Sequence, residues 1–233
     1  MADTARPPSV FDRTFLTDAE EVAELLLVRH AQQDIDPESA VGELLDPPLS
    51  DQGEQQARLV GMGLSTTNIT AVVCSPLRRA RQTAEAIASH HQLDVTVIDD
   101  LREIELFRDV PADQKLRDFF GIPLLKAVRH RMLHERSWDV YPYSESSYDF
   151  RKRTINAIES VIATHTTGRI AVVCHGGVIN AYVGHIARSP LDMMFRPGHT
   201  SISTILAGDE RRVLSTLNDV THLRTAEGDF GTY

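Results

Sequence analysis

Apolar residues along this chain occur in short runs that end abruptly at polar or small residues, and two of these runs are alike. LLLVRHAQ covers residues 25–32 and IAVVCHGGVI covers residues 170–179. Apolar runs of four to six residues that stop in this way are typical of buried parallel strands. Because ligands bind beyond the carboxyl ends of such strands, His30 and His175 are predicted to face one pocket.

Strands and helices alternate over most of the remaining chain. ITAVVC (69–74) and VTVI (95–98) predict further strands, and helices are predicted for PLSDQGEQQARLVGMGL, LRRARQTAEAIASHH and YDFRKRTINAIESVIATH. Ser50 is the predicted N-cap of the first of these helices, and Ser75 with Pro76 is predicted to open the second. This alternation predicts an α/β fold of three layers, α/β/α, around a mostly parallel sheet.

The end of the chain has a different pattern. SISTILAG and RRVLSTLND are strand-like and flank a turn at Gly208 and Asp209. They predict an antiparallel hairpin that completes the sheet and makes it mixed.

The pattern also divides the chain into parts. Residues 1–23 are polar with a Pro-Pro step and predict a mobile N-terminal arm, so order is expected from about Glu24. Residues 24–220 are predicted to form a single domain, followed by a C-terminal tail over 221–233. The alternation breaks at about 104–149, where a helical, partly basic segment predicts an inserted cap.

Within this insertion, Leu124, Val128 and Met132 are four residues apart and would lie on one helical face. One acid, Glu135, accompanies a basic set made up of Lys126, Arg129, Arg131 and Arg136. Two interpretations remain open: an amphipathic surface helix, or a basic lid that attracts an anionic substrate.

The composition argues against some classes of binding partner. The chain has 233 residues, is 42% hydrophobic and 24% charged, and has a formal net charge of -9. This charge argues against general binding to nucleic acid or to an anionic membrane. The apolar runs are too short to cross a bilayer and the N-terminus lacks the apolar core of a signal peptide, so a cytoplasmic protein is expected. Cys74 and Cys174 end strands and are predicted to be buried, reduced packing residues.

The polar residues at the strand ends suit an anion. Arg29 precedes His30, and Arg79 is one turn into the helix after the second strand. Two guanidinium groups, two imidazoles and a helix N-terminus would bind a phosphoryl dianion, and a neutral imidazole can accept a phosphoryl group. An acid for the leaving oxygen is available in DDLREIEL, from either Glu103 or Glu105.

VRHAQ, PLSDQGEQQA, SPLRRARQTAEAIA, LREI and VVCHGGVI, in this order and spacing, resemble the histidine phosphatase superfamily, also called the phosphoglycerate mutase-like family. The resemblance covers about residues 25–220. It implies the phosphoglycerate mutase-like fold and the phosphatase branch of the family.

By this resemblance, His30 is the phosphorylated nucleophile, and Arg29 and Arg79 bind phosphate. His175 completes the pocket, and the proton donor falls on Glu103, with Glu105 as the alternative. Two residues beside the histidines, Gln32 and Gly176, are further candidates for phosphate binding. The resemblance implies neither a metal nor another cofactor, and metal binding by His130 and His134, spaced i and i+4, is not expected.

The chain departs from the family pattern at three places. Ala31 replaces the glycine of the RHG-type motif, which a backbone with negative φ tolerates. ELFRDVP stands where many relatives have a GxWEG motif, and SESSYDF keeps Glu145 and Ser146 but lacks the preceding glycine. The mouth of the site is therefore expected to be built differently, and the substrate is not transferable from relatives.

The predicted function is hydrolysis of a small phosphorylated substrate, a phosphomonoester, through a phosphohistidine. Two alternatives remain: a phosphoglycerate-type mutase, which must exclude water to retain the phosphoryl group, and a non-catalytic phospholigand-binding protein. A homodimer through the cap helix or the sheet edge is compatible with the sequence.

Overall fold

The computed structural model describes residues 9–17, 21–208, 210–226 and 228–233, and a six-stranded sheet lies at its centre. The strands are β1 (Ala23–Arg29), β2 (Ala71–Cys74), β3 (Val95–Val97), β4 (Gly168–Cys174), β5 (Ile202–Gly208) and β6 (Arg211–Asp219). The spatial order is β3-β2-β4-β1-β5-β6. The parallel pairs are β1 with β4, β4 with β2, and β2 with β3. Strand β5 pairs antiparallel with β1, and β6 pairs antiparallel with β5. The predicted mixed sheet and terminal hairpin are confirmed, although Asp209 of the hairpin turn lies outside the described residues.

Seven helices occur in the described part of the chain. They are α1 (Val10–Phe15), α2 (Val41–Leu45), α3 (Asp51–Leu64), α4 (Arg78–Ala88), α5 (Leu116–Glu135), α6 (Ser147–Thr164) and α7 (Gly176–Ile186). Short 3-10 turns occupy Asp99–Leu101, Trp138–Val140 and Thr221–Leu223. None of the helices that are described is long and apolar enough to span a membrane.

The sheet separates two apolar cores. Successive strand residues point to opposite faces, so Leu25 and Leu27 of β1 enter one core while Leu26 and Val28 enter the other. The first core is completed by α6 and α7, and the second by α3 and α4. This arrangement confirms the predicted α/β/α layers.

The two predicted helix starts have different outcomes. Ser50 caps α3, since its Oγ accepts a hydrogen bond from the Gly53 N–H at 3.1 Å. Helix α4 begins two residues later than predicted, with Leu77 at its N-cap. The prediction that Ser75 caps α4 was wrong, because its hydroxyl lies 2.8 Å from the His175 ring instead.

Two segments expected to lack regular structure contain short helices. Helix α2 interrupts the predicted loop between β1 and α3, and α1 lies within the predicted N-terminal arm. Leu16, just after α1, is buried and packs beside Gly208. The remainder of the arm before Glu21, residues 1–8 and 18–20, lies outside the described residues.

The predicted insertion contains α5, which lies at the surface. Helix α5 consists of two helical stretches joined at Gly121, whose φ of +73° is left-handed, and Pro123 follows this break. Val128 is the buried residue of α5, whereas Met132 is half-buried and Leu124 is exposed. The predicted apolar face is therefore only partly covered.

The C-terminal tail packs against the domain. Leu223 is fully buried, and the strands β7 (Arg224–Thr225) and β8 (Gly228–Asp229) form a small antiparallel pair. The buried Gln56 side chain of α3 donates hydrogen bonds through Nε2 to the Phe230 carbonyl and to Thr232 Oγ1, both at 2.8 Å. These contacts bring the tail close to the carboxyl end of β1.

Candidate active site

His30 follows the last residue of β1 and is only 4% exposed. Its backbone N–H donates to the Cys174 carbonyl of β4 at 2.9 Å, which fixes the position of the residue between the two strands. The ring Nδ1 lies 2.7 Å from the Ala31 carbonyl oxygen. Because a carbonyl only accepts hydrogen bonds, Nδ1 carries the proton and Nε2 keeps its lone pair. Arg79 Nε donates to this lone pair at 3.3 Å.

His175 lies beside His30 and completes the predicted pair. It is fully buried at the N-terminus of α7, and the two ring centroids are 5.0 Å apart. Ser75 Oγ accepts the Leu77 N–H at 3.3 Å and lies 2.8 Å from His175 Nε2. We assign the hydroxyl proton to the contact with His175 Nε2, which leaves the proton of the ring on Nδ1. This Nδ1 is buried without a hydrogen-bond partner among the described residues.

Both imidazoles are neutral at pH 7. Burial lowers the pKa of His30 well below the ordinary value of 6.5, and the charges of Arg79 and Arg29 lower it further. The pKa of His175 is also lowered well below 6.5, by burial first and then by the same two arginines. His30 therefore has the protonation state of a nucleophile.

The two predicted arginines surround the histidines. Arg79 is 7% exposed, and its Nη1 donates to the Leu45 carbonyl at 3.2 Å and lies 3.9 Å from Asp46 Oδ1. Arg29 donates through Nη1 to the Pro197 carbonyl, whereas its buried Nε has no described partner. Burial lowers the pKa of Arg29 to about 10, so the group stays charged at neutral pH. The site thus has two fixed positive charges.

Glu103 reaches the N-terminus of α7. Its Oε2 accepts a hydrogen bond from the Gly177 N–H at 3.0 Å, and its Oε1 accepts one from the Ile104 N–H at 3.1 Å. A Cβ at position 177 would lie 2.2 Å from Glu103 Oε1, so the glycine allows the carboxylate to take this position. Glu105 instead forms ion pairs with Arg102 at 3.2 Å and Arg108 at 2.6 Å. The geometry favours Glu103 over Glu105 as the acid.

A buried ion pair that the sequence did not single out holds this segment in place. Arg153 of α6 pairs with the buried Glu145, with both Nε and Nη2 at 2.7 Å from a carboxylate oxygen. The same guanidinium donates to the carbonyls of Asp100, Arg102 and Glu103 at 2.8–3.1 Å. The i, i+8 spacing of an acid and an arginine gave no signal for this role. Arg153 is therefore a positioning residue for Glu103.

The two further candidates for phosphate binding, Gly176 and Gln32, have different surroundings. Gly176 is the first residue of α7, where a backbone N–H has no intrahelical acceptor, and it lies next to the Arg29 side chain. Gln32 bonds to the start of α3: its Oε1 accepts from Ser50 Oγ at 2.8 Å, and its backbone N–H donates to Gln56 Oε1 at 2.9 Å. These contacts give Gln32 a structural role, and phosphate binding by Gln32 stays a prediction.

A third buried histidine, His199, also lies at the site and was not predicted. Its ring centroid is 5.9 Å from that of His30, and its Nε2 is buried with no described partner. His199 precedes β5, which is antiparallel to β1, so the amino end of β5 meets the carboxyl end of β1. That topology was the available signal, since PGHTSIS comes just before a predicted hairpin strand.

A cavity of about 510 Å³ opens beside Arg79 and Glu103. Five aliphatic residues contribute to its wall, namely Leu44, Leu45, Leu77, Ile104 and Leu106. Arg102, Glu105 and Arg108 complete the lining. The basic residues at this cavity come from the segment after β3, and the predicted basic residues of α5 are not among those that line it. Of the two interpretations of these residues, the basic lid is therefore not supported by the described lining.

The remaining candidates lie outside the site. Cys74 and Cys174 are buried free thiols, and burial raises the pKa of both, to about 11 for Cys74. His130 and His134 lie side by side on α5, with ring centroids 4.6 Å apart and ring planes tilted by 52°. In the part of the chain that the structure describes, no three His, Cys, Asp or Glu side chains form a group suited to a metal ion.

Known proteins share this arrangement of elements. Bacillus stearothermophilus YhfR superposes with a TM-score of 0.72 at 23% identity, covering 86% of this chain and 98% of that structure. Phosphoglycerate mutase-like protein 4 of Arabidopsis thaliana is 30% identical over 88% of this chain and 90% of its own length. Uncharacterized phosphatase PhoE of Bacillus subtilis (strain 168) is 26% identical over 84% of this chain and 95% of its own length.

The family assignment rests on most of the domain. A family model described as histidine phosphatase superfamily (branch 1) matches residues 25–220, from within β1 to just beyond β6. This range includes both histidines, both arginines and Glu103 of the site. The chain therefore belongs to the histidine phosphatase superfamily.

Proposed function

We propose that this chain is a metal-independent phosphomonoesterase that works through a phosphohistidine at His30. One observation carries the proposal: a neutral His30, with its lone pair on Nε2, lies among buried N–H donors that have no acceptor among the described residues. These donors are Arg29 Nε and His175 Nδ1. A buried donor without an acceptor is costly, and the oxygens of a bound phosphoryl group would satisfy both.

In the first step, the lone pair of His30 Nε2 attacks phosphorus and the bond from phosphorus to the ester oxygen breaks. Glu103 transfers a proton to that oxygen, so the product leaves as a neutral alcohol. The Nδ1–H of His30 remains bonded to the Ala31 carbonyl, which supports the positive charge that develops on the ring. Arg29, Arg79 and His175 bind the oxygens of the phosphoryl group throughout.

In the second step, water attacks phosphorus on the side that the alcohol has left. Glu103, now a carboxylate, accepts a proton from this water, and the bond from phosphorus to nitrogen breaks. The electron pair returns to His30 Nε2, and inorganic phosphate leaves. The two guanidinium groups provide the positive charge that stabilises the transferring group, so the proposed mechanism requires no metal. We also propose a cytoplasmic location, in which the two cysteines stay reduced.

The test is release of phosphate from several phosphomonoesters in the presence of EDTA, measured for the wild-type protein and for His30→Ala. We expect turnover that resists the chelator and is lost in His30→Ala. His130→Ala, which changes an exposed histidine of α5, is the matched control and should keep full activity. A labelled substrate quenched in alkali should leave phosphate on the wild-type protein, because phosphohistidine survives alkali. Turnover that persists in His30→Ala would overturn the proposal.

The same samples test the mutase alternative. Isomerisation of 3-phosphoglycerate at a rate above phosphate release would assign the chain to the mutases instead. Among relatives of similar identity, both phosphatases and phosphoglycerate mutase-like proteins occur, so this comparison decides between two activities that share the phosphohistidine.

A further inference from the structure

The cavity beside the phosphoryl site has a larger apolar wall than a phosphoryl group requires. Leu44 and Leu45 come from α2, Leu77 precedes α4, and Ile104 and Leu106 follow Glu103. Four of these five side chains are not fully buried, although they are aliphatic and line a concave surface. Its volume of about 510 Å³ is within the range of small-molecule sites. Filling it with a small polar alcohol would leave this wall in contact with water.

The two arginines that the segment after β3 contributes to the cavity lining both contact carboxylates. Glu105 pairs with both Arg102 and Arg108, and Arg108 also lies 3.9 Å from Glu145. The remaining charged lining residues, Arg79 and Glu103, belong to the phosphoryl site itself. Because Arg102 and Arg108 share one glutamate, one positive charge stays unbalanced. Both guanidinium groups are 40–47% exposed, so water screens this charge and its attraction for a second anionic group on the substrate is weak.

We propose that the preferred substrates are phosphomonoesters whose alcohol portion is an alkyl or aryl group that fills this cavity. The inference rests on the proposed phosphatase function and specifies its substrate class. The phosphoryl group binds at His30, and the ester oxygen points toward Glu103. The carbon skeleton then lies against the wall formed by α2, Leu77 and the segment after β3.

The experiment compares kcat/KM for ethyl, butyl and hexyl phosphate, whose leaving alcohols are similar in basicity. We expect kcat/KM to rise about two- to fourfold for each added methylene, because each buries apolar surface. O-phosphoserine and glycerol phosphate should be poorer than butyl phosphate. In Leu45→Asn and Leu106→Asn, which each make part of the wall polar, the ratio of kcat/KM for hexyl phosphate to that for ethyl phosphate should fall. Leu217→Asn, an exposed leucine of β6, is the control.

The outcomes separate the two proposals. Hydrolysis with no dependence on chain length overturns the substrate class but leaves the phosphatase function. If no ester is hydrolysed, the phosphatase function fails, and the cavity is tested by calorimetric binding of ethyl- and hexylphosphonate. Tighter binding of the longer phosphonate, lost in Leu45→Asn, supports the apolar site. Equal affinities overturn it.

A separate observation concerns His199. Gln56 Oε1 accepts the Gln32 N–H, which fixes its amide so that Nε2 donates to Thr232 Oγ1. Thr232 Oγ1 lies 2.7 Å from His199 Nδ1, and we assign its hydroxyl proton to this contact. The proton of the His199 ring is then on Nε2. This buried N–H has no described partner, and its ring lies 5.9 Å from that of His30.

We infer that His199 is a third imidazole of the phosphoryl site and that its Nε2–H donates to an oxygen of the group transferred to His30. His30, His175 and His199 then divide two roles, one acceptor and two donors. The hydrogen-bond chain from Gln56 through Thr232 keeps His199 in the donor tautomer, so Thr232 is a positioning residue.

The test compares His199→Phe, which keeps the ring but removes its donor, with His199→Gln, whose amide can restore one. His199→Phe should lower kcat about 100-fold with a small change in KM, because the donor acts most strongly in the transition state. His199→Gln should stay within about tenfold of wild type. Thr232→Val removes the hydroxyl that fixes the tautomer of His199, so its kcat should lie between those of the two His199 variants. This variant replaces His199→Phe in the test if His199→Phe does not fold. Equal kcat values for His199→Gln and His199→Phe, or wild-type activity in Thr232→Val, would overturn the inference.

The control is His222→Gln, which changes the neighbouring histidine that bonds to Thr200 Oγ1 at 3.0 Å. His222 has its partner and faces α3, so this variant should keep wild-type kcat. A loss of kcat in His222→Gln equal to that in His199→Phe would show that the effect comes only from loosening this wall.

Discussion

At the scale of single residues, the chemistry of the site depends on which nitrogen of each histidine carries the proton. The Ala31 carbonyl assigns Nδ1–H to His30, and Ser75 assigns it to His175. In the proposed mechanism, His30 is therefore an acceptor and the nucleophile, and His175 is a donor to phosphate. Burial beside two arginines keeps both rings neutral. Identical side chains thus take different roles because their hydrogen-bond partners differ.

The protonation of His30 can be measured directly. Histidine labelled with 15N should show a neutral His30 ring at pH 5.5, below the ordinary pKa of 6.5. Replacing Arg79 by Gln removes a nearby positive charge, so we expect the pKa of His30 to rise in this variant. Arg78→Gln changes the adjacent exposed arginine and should leave the titration unchanged. A His30 pKa that falls or stays constant in Arg79→Gln would contradict this electrostatic description.

Whether Glu103 or Glu105 is the proton donor is tested by measuring how kcat depends on the basicity of the leaving group. Glu103→Gln should lower kcat for an alkyl phosphate about 100-fold or more, since an alkoxide needs a proton to leave. The loss should be far smaller for p-nitrophenyl phosphate, whose leaving group is weakly basic. Glu105→Gln keeps the same shape and should show no such difference between the substrates. A large difference between the two substrates in Glu105→Gln, with none in Glu103→Gln, would assign the role of proton donor to Glu105.

At the scale of elements, the segment after β3 depends on a helix from the other side of the insertion. Arg153 of α6 binds three carbonyls of the segment that contains Glu103, and buried Glu145 holds the guanidinium in place. Helix α7 then presents the Gly177 N–H to the same carboxylate. The position of the acid is thus set by packing between α6 and α7.

Two variants of α6 separate the effect of Arg153 on the position of Glu103 from its effect on the stability of the fold. Arg153→Met and Arg151→Met each remove the arginine of an ion pair with a buried carboxylate, Glu145 or Asp192. Each should cost about 3–5 kcal/mol of unfolding free energy, because the acid is left unpaired. At a temperature where both are folded, only Arg153→Met should lose kcat, about tenfold or more. Equal kcat values would show that Arg153 has no special role.

The close approach of α7 gives another prediction. Gly177→Ala would place a methyl group 2.2 Å from the present position of Glu103 Oε1, so the carboxylate must move. We expect kcat for an alkyl phosphate to fall at least tenfold. Gly184→Ala on the same helix meets nothing closer than 3.8 Å and should keep wild-type activity. An active Gly177→Ala protein would mean that Glu103 acts from another position.

At the scale of the whole molecule, the buried histidines couple stability to pH. Burial lowers the pKa of His199 to about 3 and that of His222 to about 4, and it lowers those of His30 and His175 as well. The native state therefore binds fewer protons than the unfolded chain below about pH 6.5, so stability falls as pH falls. Each such histidine contributes a slope of about 1.4 kcal/mol per pH unit.

Urea unfolding at pH 7, 6 and 5 measures this slope. The unfolding free energy should fall more steeply from pH 6 to 5 than from pH 7 to 6. His222→Gln should reduce the slope between pH 6 and 5 by about 1.4 kcal/mol per unit, since one buried ring is removed. A slope that is flat, or that rises toward low pH, would show that these rings are charged in the native protein.

The sequence by itself determined the elements and the pair of histidines. Apolar runs that end at polar residues are a local signal, and the carboxyl ends of adjacent parallel strands must meet, so His30 and His175 were predicted together and lie 5.0 Å apart. Helical spacing is a local signal of the same kind, because it fixes which residues of α4 face outward, and Arg78 and Arg81 are exposed. Motifs in order then identified Arg29, Arg79 and the family.

Only the tertiary structure decided the contacts between distant segments. Arg153 with the Glu103 segment, Ser75 with His175, and His199 with Thr232 join residues that are 33 to 100 positions apart or carry no periodic signal. The apolar cavity likewise combines α2 with residues 102–108. A sequence pattern reports which side of its own element a residue faces. Which element lies opposite, and therefore which proton or substrate the residue meets, depends on how the helices and loops pack around the sheet.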